Sequence, residues 1–222
     1  LFLDDTWQSY TITSPGYLGP NAFRIPVSPQ GFVDSTSSLM FAIESHNTPG
    51  DYTQNIYVHL NYVFVPGVIS VEAYGVPVEH YRTSDAEFQR RRVNIFDSPV
   101  IPHFENQGFN GGDYYAATLI SVLNRPRYPQ MVLRFGLRAP SGNLDAARFT
   151  DSPAFFSDLS AGKSYKLGLT TVRPSVMLGF LTWQTTDQLS FQNDAAIFGI
   201  ATTVQTPKYE VKMSVDGFAG YK

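Results

Sequence analysis

The chain has 222 residues, which is within the size range of one large β-sandwich domain. Only 16% of the residues are charged and the net charge is -3, which argues against a generally basic nucleic-acid binder. The absence of cysteine excludes disulfide bonds, thiolate metal sites and a cysteine nucleophile. No stretch approaches the roughly 18 consecutive apolar residues of a membrane helix, so no membrane span is expected.

The first part of the chain, over residues 1–20, is interpreted as an N-terminal arm of a single domain that covers 1–222. The chain begins at Leu1 without an initiator Met, which indicates a processed product or the ordered part of a longer protein. Alternation of apolar and polar residues then predicts strands, because successive side chains of a strand point to opposite faces. These strands are expected at 10–13, 22–27, 39–44, 55–65 and 68–74.

The strand over 55–65 alternates well between apolar and polar residues. Its apolar face carries Ile56, Val58, Leu60, Tyr62 and Phe64, and its polar face carries Asn55, Tyr57, His59 and Asn61. This pattern predicts a half-buried strand with its apolar face in the core. The dipeptide Pro66-Gly67 predicts a turn into the strand at 68–74.

A long irregular excursion is expected over 76–116, interrupted by one short helix. Ser84 and Glu87 form a capping box that starts this helix, which we expect to continue to Arg92. Arg90, Arg91 and Arg92 are a run of like charges and are candidate contacts to the phosphates of a nucleic acid. The alternative interpretation is a solvated helix end, where cations interact favourably with the helix dipole.

The second half of the chain again shows strand patterns, at 118–123, 131–137, 165–170, 176–183, 195–204 and 209–215. Residues 143–148 predict one helical turn, and Ser152-Pro153 predicts the start of a helical piece that ends by Gly162. Residues 176–183 are apolar on both faces, as in a covered strand. The fold class is therefore predicted as all-β: an antiparallel β-sandwich, specifically an eight-stranded jelly roll with short helical turns in the connections.

The sequence contains no motif that indicates catalysis or metal binding. His46, His59, His80 and His103 have no metal-ligand spacing and are interpreted as surface or edge histidines. A nucleophile elbow is absent, and neither a catalytic triad nor a carboxylate pair can be selected from residue types alone. We therefore predict no catalytic, cofactor-binding or metal-ligating residues, and no enzyme activity.

Several features point together to one group of proteins. They are the strand–turn–strand unit over 56–74, short helices near Ser84 and Ser152, end loops rich in Asn, Gly and Pro, and apolar strands at 165–170, 176–183 and 195–204. In these features the chain resembles the capsid proteins of picorna-like positive-strand RNA viruses. The resemblance implies a jelly-roll subunit that is released from a polyprotein and assembles with sister subunits into an icosahedral shell around genomic RNA. It also implies a host receptor at the outer loops, a location in the virion, and a stage in the host cytoplasm during assembly.

The alternative function is a glycan- or receptor-binding β-sandwich module, such as a lectin-like or phage tail domain. Aromatic residues make up 14% of the chain, and they are enriched where proteins bind partners. Trp7 and Trp183 are the candidate ligand contacts of such a module. A β-sandwich hydrolase is a third alternative, which requires a cleft with converging carboxylates or a triad.

Overall fold

The structure, a computed structural model, describes most of the chain. The described residues are 18–21, 24, 31–90, 106–142, 148, 153–187 and 190–220, and the side chains of 183–187 and 190–193 lie outside this description. Within these ranges nearly all of the regular structure is antiparallel strand. The predicted all-β antiparallel class is therefore confirmed.

The described ranges contain eleven strands and one short helix. The helix is α1 (Asp85–Arg90). The strands are β1 (Ser38–Thr48), β2 (Asp51–Val65), β3 (Ile69–Thr83), β4 (Gln107–Asn110), β5 (Tyr114–Leu123), β6 (Gln130–Ala139), β7 (Ala154–Gly162), β8 (Tyr165–Leu167), β9 (Thr170–Asp187), β10 (Ser190–Gln205) and β11 (Glu210–Ala219).

All of these strands belong to one sheet. Its order is β1-β2-β3-β5-β6-β7-β9-β10-β11, with β4 beside β3 and β8 beside β9, and every pair is antiparallel. A jelly roll instead packs two sheets joined by Greek-key connections. The observed order therefore differs from the expected jelly-roll order, because the connections let strands that follow one another in the chain pair directly.

The two ends of the sheet carry different connections. At one end, the turn end, the strands are joined by residues 66–68, 124–129, 163–169 and 206–209. The opposite end, the loop end, carries the tight turn at 49–50 and the long connections 84–113 and 140–153. Gly50 and Gly67 adopt positive φ angles of 87° and 69°, which glycine reaches without strain in a tight turn.

Most strand predictions match the observed strands β1, β2, β3, β5, β6, β9, β10 and β11. One half of the predicted capping box is confirmed, since the Glu87 backbone N–H donates to Ser84 Oγ at 3.3 Å. The Ser84 N–H donates to the Gly50 carbonyl oxygen rather than to Glu87, and the described helix runs to Arg90. The predicted strand at 165–170 divides into β8, a turn and the start of β9. The predicted strand at 10–13, all of 22–27 except Arg24, and 143–147 of the predicted helical turn lie outside the described residues.

Two other predictions are corrected. The helical piece predicted from Ser152 is wrong, because residues 154–162 form β7, where pairing with β6 and β9 overrides the local capping signal. The irregular excursion over 76–116 is largely regular where it is described. It contains the end of β3, the helix α1, the strand β4 and the start of β5, and residues 91–105 lie outside the description.

The sheet curls so that one face points into an enclosed interior and the other points outward. On β2 the polar face, with Asn55 and Asn61, is the inward one, whereas Ile56, Leu60 and Phe64 on the other face are exposed. The expectation that the apolar face of 55–65 lies in the core is therefore wrong. Alternation alone does not determine which face is buried, and here the interior provides partners for polar groups.

Part of the interior is nevertheless an apolar core. Tyr74, Tyr115, Phe156, Met177 and Ile197, from five different strands, form one buried cluster. The rings of Tyr74 and Tyr115 stack with centroids 4.9 Å apart and planes within 5° of parallel. The inward face therefore combines aromatic packing with polar groups at alternate positions.

The close packing of this core predicts a specific sensitivity at Gly136. A Cβ atom at this position would overlap the ring of Phe156, whereas a Cβ atom at Gly111 would meet only the Pro77 carbonyl oxygen at 3.5 Å. We expect Gly136→Ala to lower the free energy of unfolding by about 1–3 kcal/mol through overpacking. Chemical denaturation measures the change, and Gly111→Ala is the matched control. Equal stability of the two variants would contradict the described packing.

Candidate functional site

A buried ion cluster, the middle cluster, lies on the inward face of β3, β6 and β7. Arg134 Nε donates to Asp158 Oδ2 at 2.7 Å, and Arg134 Nη1 donates to Glu72 Oε1 at 3.2 Å. All three side chains are at most 3% exposed. His59 on β2 adds a fourth group, with Nε2 3.3 Å from Glu72 Oε2. The interpretation of His59 as a surface or edge residue is corrected, since it lies half-buried on the inward face.

Burial and charge act in opposite directions in the middle cluster. Burial opposes ionisation of Glu72, but His59 and Arg134 outweigh it and hold the pKa of Glu72 below its ordinary value. Burial also opposes the charge of Arg134, yet Asp158 and Glu72 raise the pKa of its guanidinium. At Asp158 burial is the larger effect, and its pKa is raised. Arg134 therefore stays charged and holds two acidic groups together.

A second group, the upper cluster, lies towards the loop end around Arg148. This arginine is completely buried and donates from Nη1 to Asp51 Oδ1 at 2.7 Å and to Thr83 Oγ1 at 3.1 Å. Its Nε also pairs with Glu79, and its guanidinium lies 4.6 Å from the centroid of the Tyr81 ring. The upper cluster fixes the residue at 148 against β2 and β3, which are distant from it in the chain.

Part of the N-terminal segment lies inside the curl. Asn21 hydrogen-bonds Asn55 at 2.9 Å, and Arg24 makes two hydrogen bonds to Glu44, at 2.9 and 2.5 Å. The Tyr115 hydroxyl donates to the Arg24 carbonyl oxygen at 2.7 Å. The arm expected over 1–20 is described only at residues 18–20, and Leu18 is buried within the chain's own fold.

The same segment continues to the turn end of the interior. Arg173 on β9 lies 5.6 Å from the centroid of the Phe32 ring. Asn61 on β2 donates to Asp34 Oδ2 at 2.9 Å, and the Gly67 N–H donates to the Asp34 carbonyl oxygen at 3.0 Å. Described residues before β1 therefore contact the inward face at the loop end, the middle and the turn end.

The outward face of the sheet exposes many large apolar side chains among the described residues. Large apolar side chains are exposed on it along each long strand, and on β5 these are Tyr114 and Val122. We call the following set the outer apolar face: Leu39, Phe41, Ile43, Ile56, Leu60, Tyr62, Phe64, Val78, Phe135, Leu137, Phe155, Leu159, Val176, Leu178, Phe180, Phe198, Ile200, Val211, Met213 and Val215. Strand register places these residues opposite one another, for example Leu39 with Leu60, Leu178 with Phe198, and Val176 with Ile200.

Charged residues avoid this face. On the main strands, where side chains are described, the acidic and basic residues occupy inward positions by register, apart from Arg82 and Asp194 towards the loop end. Single charges such as Arg134 and Arg138 stand among apolar neighbours in β6, at alternate positions. Sequence reasoning missed these inward residues. Isolated charges that share one face of an otherwise apolar strand, such as Arg134 and Arg138 four residues apart, are the signal that could have found them.

The candidate nucleic-acid residues are only partly described. Arg90 lies at the end of α1, where its side chain is 67% exposed and pairs with Glu87 at 2.5 Å. Arg91 and Arg92 lie outside the described residues. Their role in contacting phosphate stays a prediction.

The glycan-binding alternative has no assembled site in the described structure. Trp7 lies outside the described residues, and Trp183 is on β9 with its side chain outside the description. A polar pocket at the loop end is lined by residues that include Tyr52, Arg82 and Asn106. Among the side chains that the structure describes, no group of three or more His, Asp or Glu residues is placed to hold a metal ion.

No helix in the described part of the chain is long and apolar enough to cross a membrane. Comparison with protein-family models, curated proteins and solved structures finds no match. Function is therefore inferred from the two faces of the sheet.

The middle cluster predicts a large effect of removing its arginine. Arg134→Ala leaves Glu72 and Asp158 buried without their cation, which costs about 3–5 kcal/mol of unfolding free energy for a buried pair. Denaturant titration measures this loss, with exposed Arg82→Ala as the control of the same residue type. A stability of Arg134→Ala close to that of the control would show that the cluster is not structural.

The Arg24–Glu44 pair predicts a pH dependence. Burial opposes ionisation of Glu44, but the hydrogen bond and charge of Arg24 hold its pKa below the ordinary value of 4.5. A lowered folded-state pKa gives stability that is present above the unfolded-state pKa and is lost as pH falls through the folded-state pKa. We therefore expect wild type to lose its stability advantage over Glu44→Gln on acidification from about pH 7 to about pH 3. Unfolding curves at several pH values measure this difference, and a constant difference would contradict it.

Proposed function

We propose that the protein is a non-catalytic structural protein that works by burying its outer apolar face against a larger apolar partner. The carrying observation is the exposure of large apolar side chains, such as Ile43 at 84% and Leu178 at 67%, across the width of the sheet. Monomeric proteins in water rarely expose contiguous apolar patches above a few hundred Å². The extent of this face therefore supports the proposal that a partner covers it in the functional state of the protein.

The free energies of burial and association favour a covered outer apolar face. Burial of one large apolar side chain contributes roughly 1.5–3 kcal/mol, and association costs an estimated 4–15 kcal/mol. Burial of the outer apolar face as a whole would therefore offset the cost of finding a partner. Single exposed apolar residues need no such explanation, but a continuous face does.

The capsid subunit expected from the sequence is one narrow form of this proposal. Sister subunits would cover the outer apolar face, genomic RNA would lie against an inner surface, and a host receptor would bind outer loops. The sequential strand order argues against a jelly-roll version of such a subunit. We therefore propose the general function, and the virion location stays a prediction.

Cysteine labelling tests whether the face is covered, because the chain has no cysteine of its own. We expect Leu178→Cys and Ile200→Cys to resist a water-soluble maleimide in native material and to react after denaturation. Lys208→Cys, at an exposed position of the turn end, is the control and should react in both states.

Mass spectrometry of the labelled protein gives the modified fraction at each site. If Leu178→Cys and Ile200→Cys react as fast as Lys208→Cys in native material, the face is open to water and the proposed function is wrong. Protection of both, with a reactive control, supports it.

A further inference from the structure

We propose that the partner covering the outer apolar face is the hydrocarbon of a lipid bilayer with anionic headgroups. This inference rests on the proposed function, since it names what covers the same face. Three features of the described residues support lipid over protein: the height and composition of the apolar band, the residues at the turn end, and the polar interior.

The band has the height that a bilayer requires. On β9 the outward positions run from Val172 to Thr182 without a charged residue. These ten residue steps span about 34 Å along the strand at roughly 3.4 Å per residue. A strand tilted by about 45° then crosses roughly 25 Å, which matches the apolar band of strands that cross membranes.

The turn end has the composition of a membrane–water interface. Tyr62, Tyr128, Tyr165 and Tyr209 are exposed there, beside the edge of the apolar band. The connections 66–68, 124–129, 163–169 and 206–209 contain Arg125, Arg127, Lys163, Lys166 and Lys208 and no acidic residue. Tyrosine is enriched at headgroup level, and clustered basic residues complement anionic lipid phosphates.

The interior shows the opposite arrangement to a water-soluble domain. The middle and upper clusters place Arg134, Arg148, Glu72 and Glu79 inside, whereas the outward positions are apolar. Alternation with apolar residues outward and polar residues inward is the pattern of strands that face lipid. A sheet that faced water would place these two sets of residues the other way round.

A protein–protein interface with sister molecules fits these observations less well. Protein interfaces carry about one hydrogen bond per 100–200 Å² and a polar rim, so they need donors and acceptors within the face. The described outward positions of the band offer few polar groups, such as Thr118, Ser157 and Thr202. Lipid tails require no hydrogen-bond donors or acceptors on the face that they contact.

Lipid also sets a condition on the edges of the sheet. Within the described residues β1 and β11 each pair on one side only. Unpaired backbone groups are costly in hydrocarbon, so each edge needs a strand partner in the membrane. The inference therefore includes paired edges at β1 and β11.

Quenching by brominated lipid tests the inference with the full chain. Trp7 and Trp183 are replaced by Phe, and one tryptophan is introduced as Leu178→Trp, Ile200→Trp or Tyr209→Trp. Each protein is reconstituted in phosphatidylcholine–phosphatidylglycerol vesicles whose acyl chains carry bromine either near the bilayer centre or near the headgroups. Asn47→Trp, at an exposed loop-end position, is the control.

We expect Leu178→Trp and Ile200→Trp to lose most of their emission with deep bromine, Tyr209→Trp to be quenched most by shallow bromine, and the control to keep its emission. A strand-type far-UV spectrum confirms folding, and flotation of the wild type with the same vesicles gives a readout independent of the substitutions.

The outcomes separate the two proposals. If the wild type does not float, and Leu178→Trp keeps its emission while Leu178→Cys is protected in a protein-only particle, sister molecules form the cover and the lipid inference is overturned. If Leu178→Cys reacts freely, the proposed function itself fails.

Discussion

The pairing of charges inside the curl is the interaction on which the rest of the structure depends. Arg134 on β6 holds Asp158 on the neighbouring strand β7 and Glu72 on β3, two strands away in the other direction. Buried charges of this kind are tolerated only with partners, since one left alone is strongly destabilising. The strand order and the curl are therefore both required, because together they bring the three side chains within hydrogen-bond distance.

The same inward face organises the segment that precedes β1. Asn21, Arg24 and Asp34 bind groups on β2 and β1, and the Tyr115 hydroxyl binds the backbone at Arg24. These residues supply partners for polar groups that the strands alone leave inside. The interior is thus a filled polar and aromatic core rather than a purely apolar one, and its contents come from both the sheet and the chain before it.

Because the charged side chains of the strands lie in the interior, many of their apolar side chains lie on the outward face. Strand side chains alternate strictly between the inward and the outward face. A strand that turned its apolar side inward would therefore also turn its charged side chains outward, away from their partners in the clusters. The low charged fraction of 16% is consistent with this arrangement, because an uncharged outer surface needs few ionisable residues. The proposed apolar partner and the proposed lipid environment both follow from this division.

Local patterns in the sequence determined the strands and which residues share a face. Period two predicted β2 and β11 well, because the alternation of strand side chains is a property of the backbone itself. It could not determine which face is inward, since alternation has no preferred side and only partners across the curl, such as Glu72 for Arg134, decide it. At Ser152 a helix cap signal was overridden by pairing with β6 and β9, and the order of the strands likewise depended on contacts between distant residues. The sequence by itself therefore determined secondary structure and the composition of each face, and only the tertiary structure decided which face is buried, because burial depends on partners that are far away in the chain.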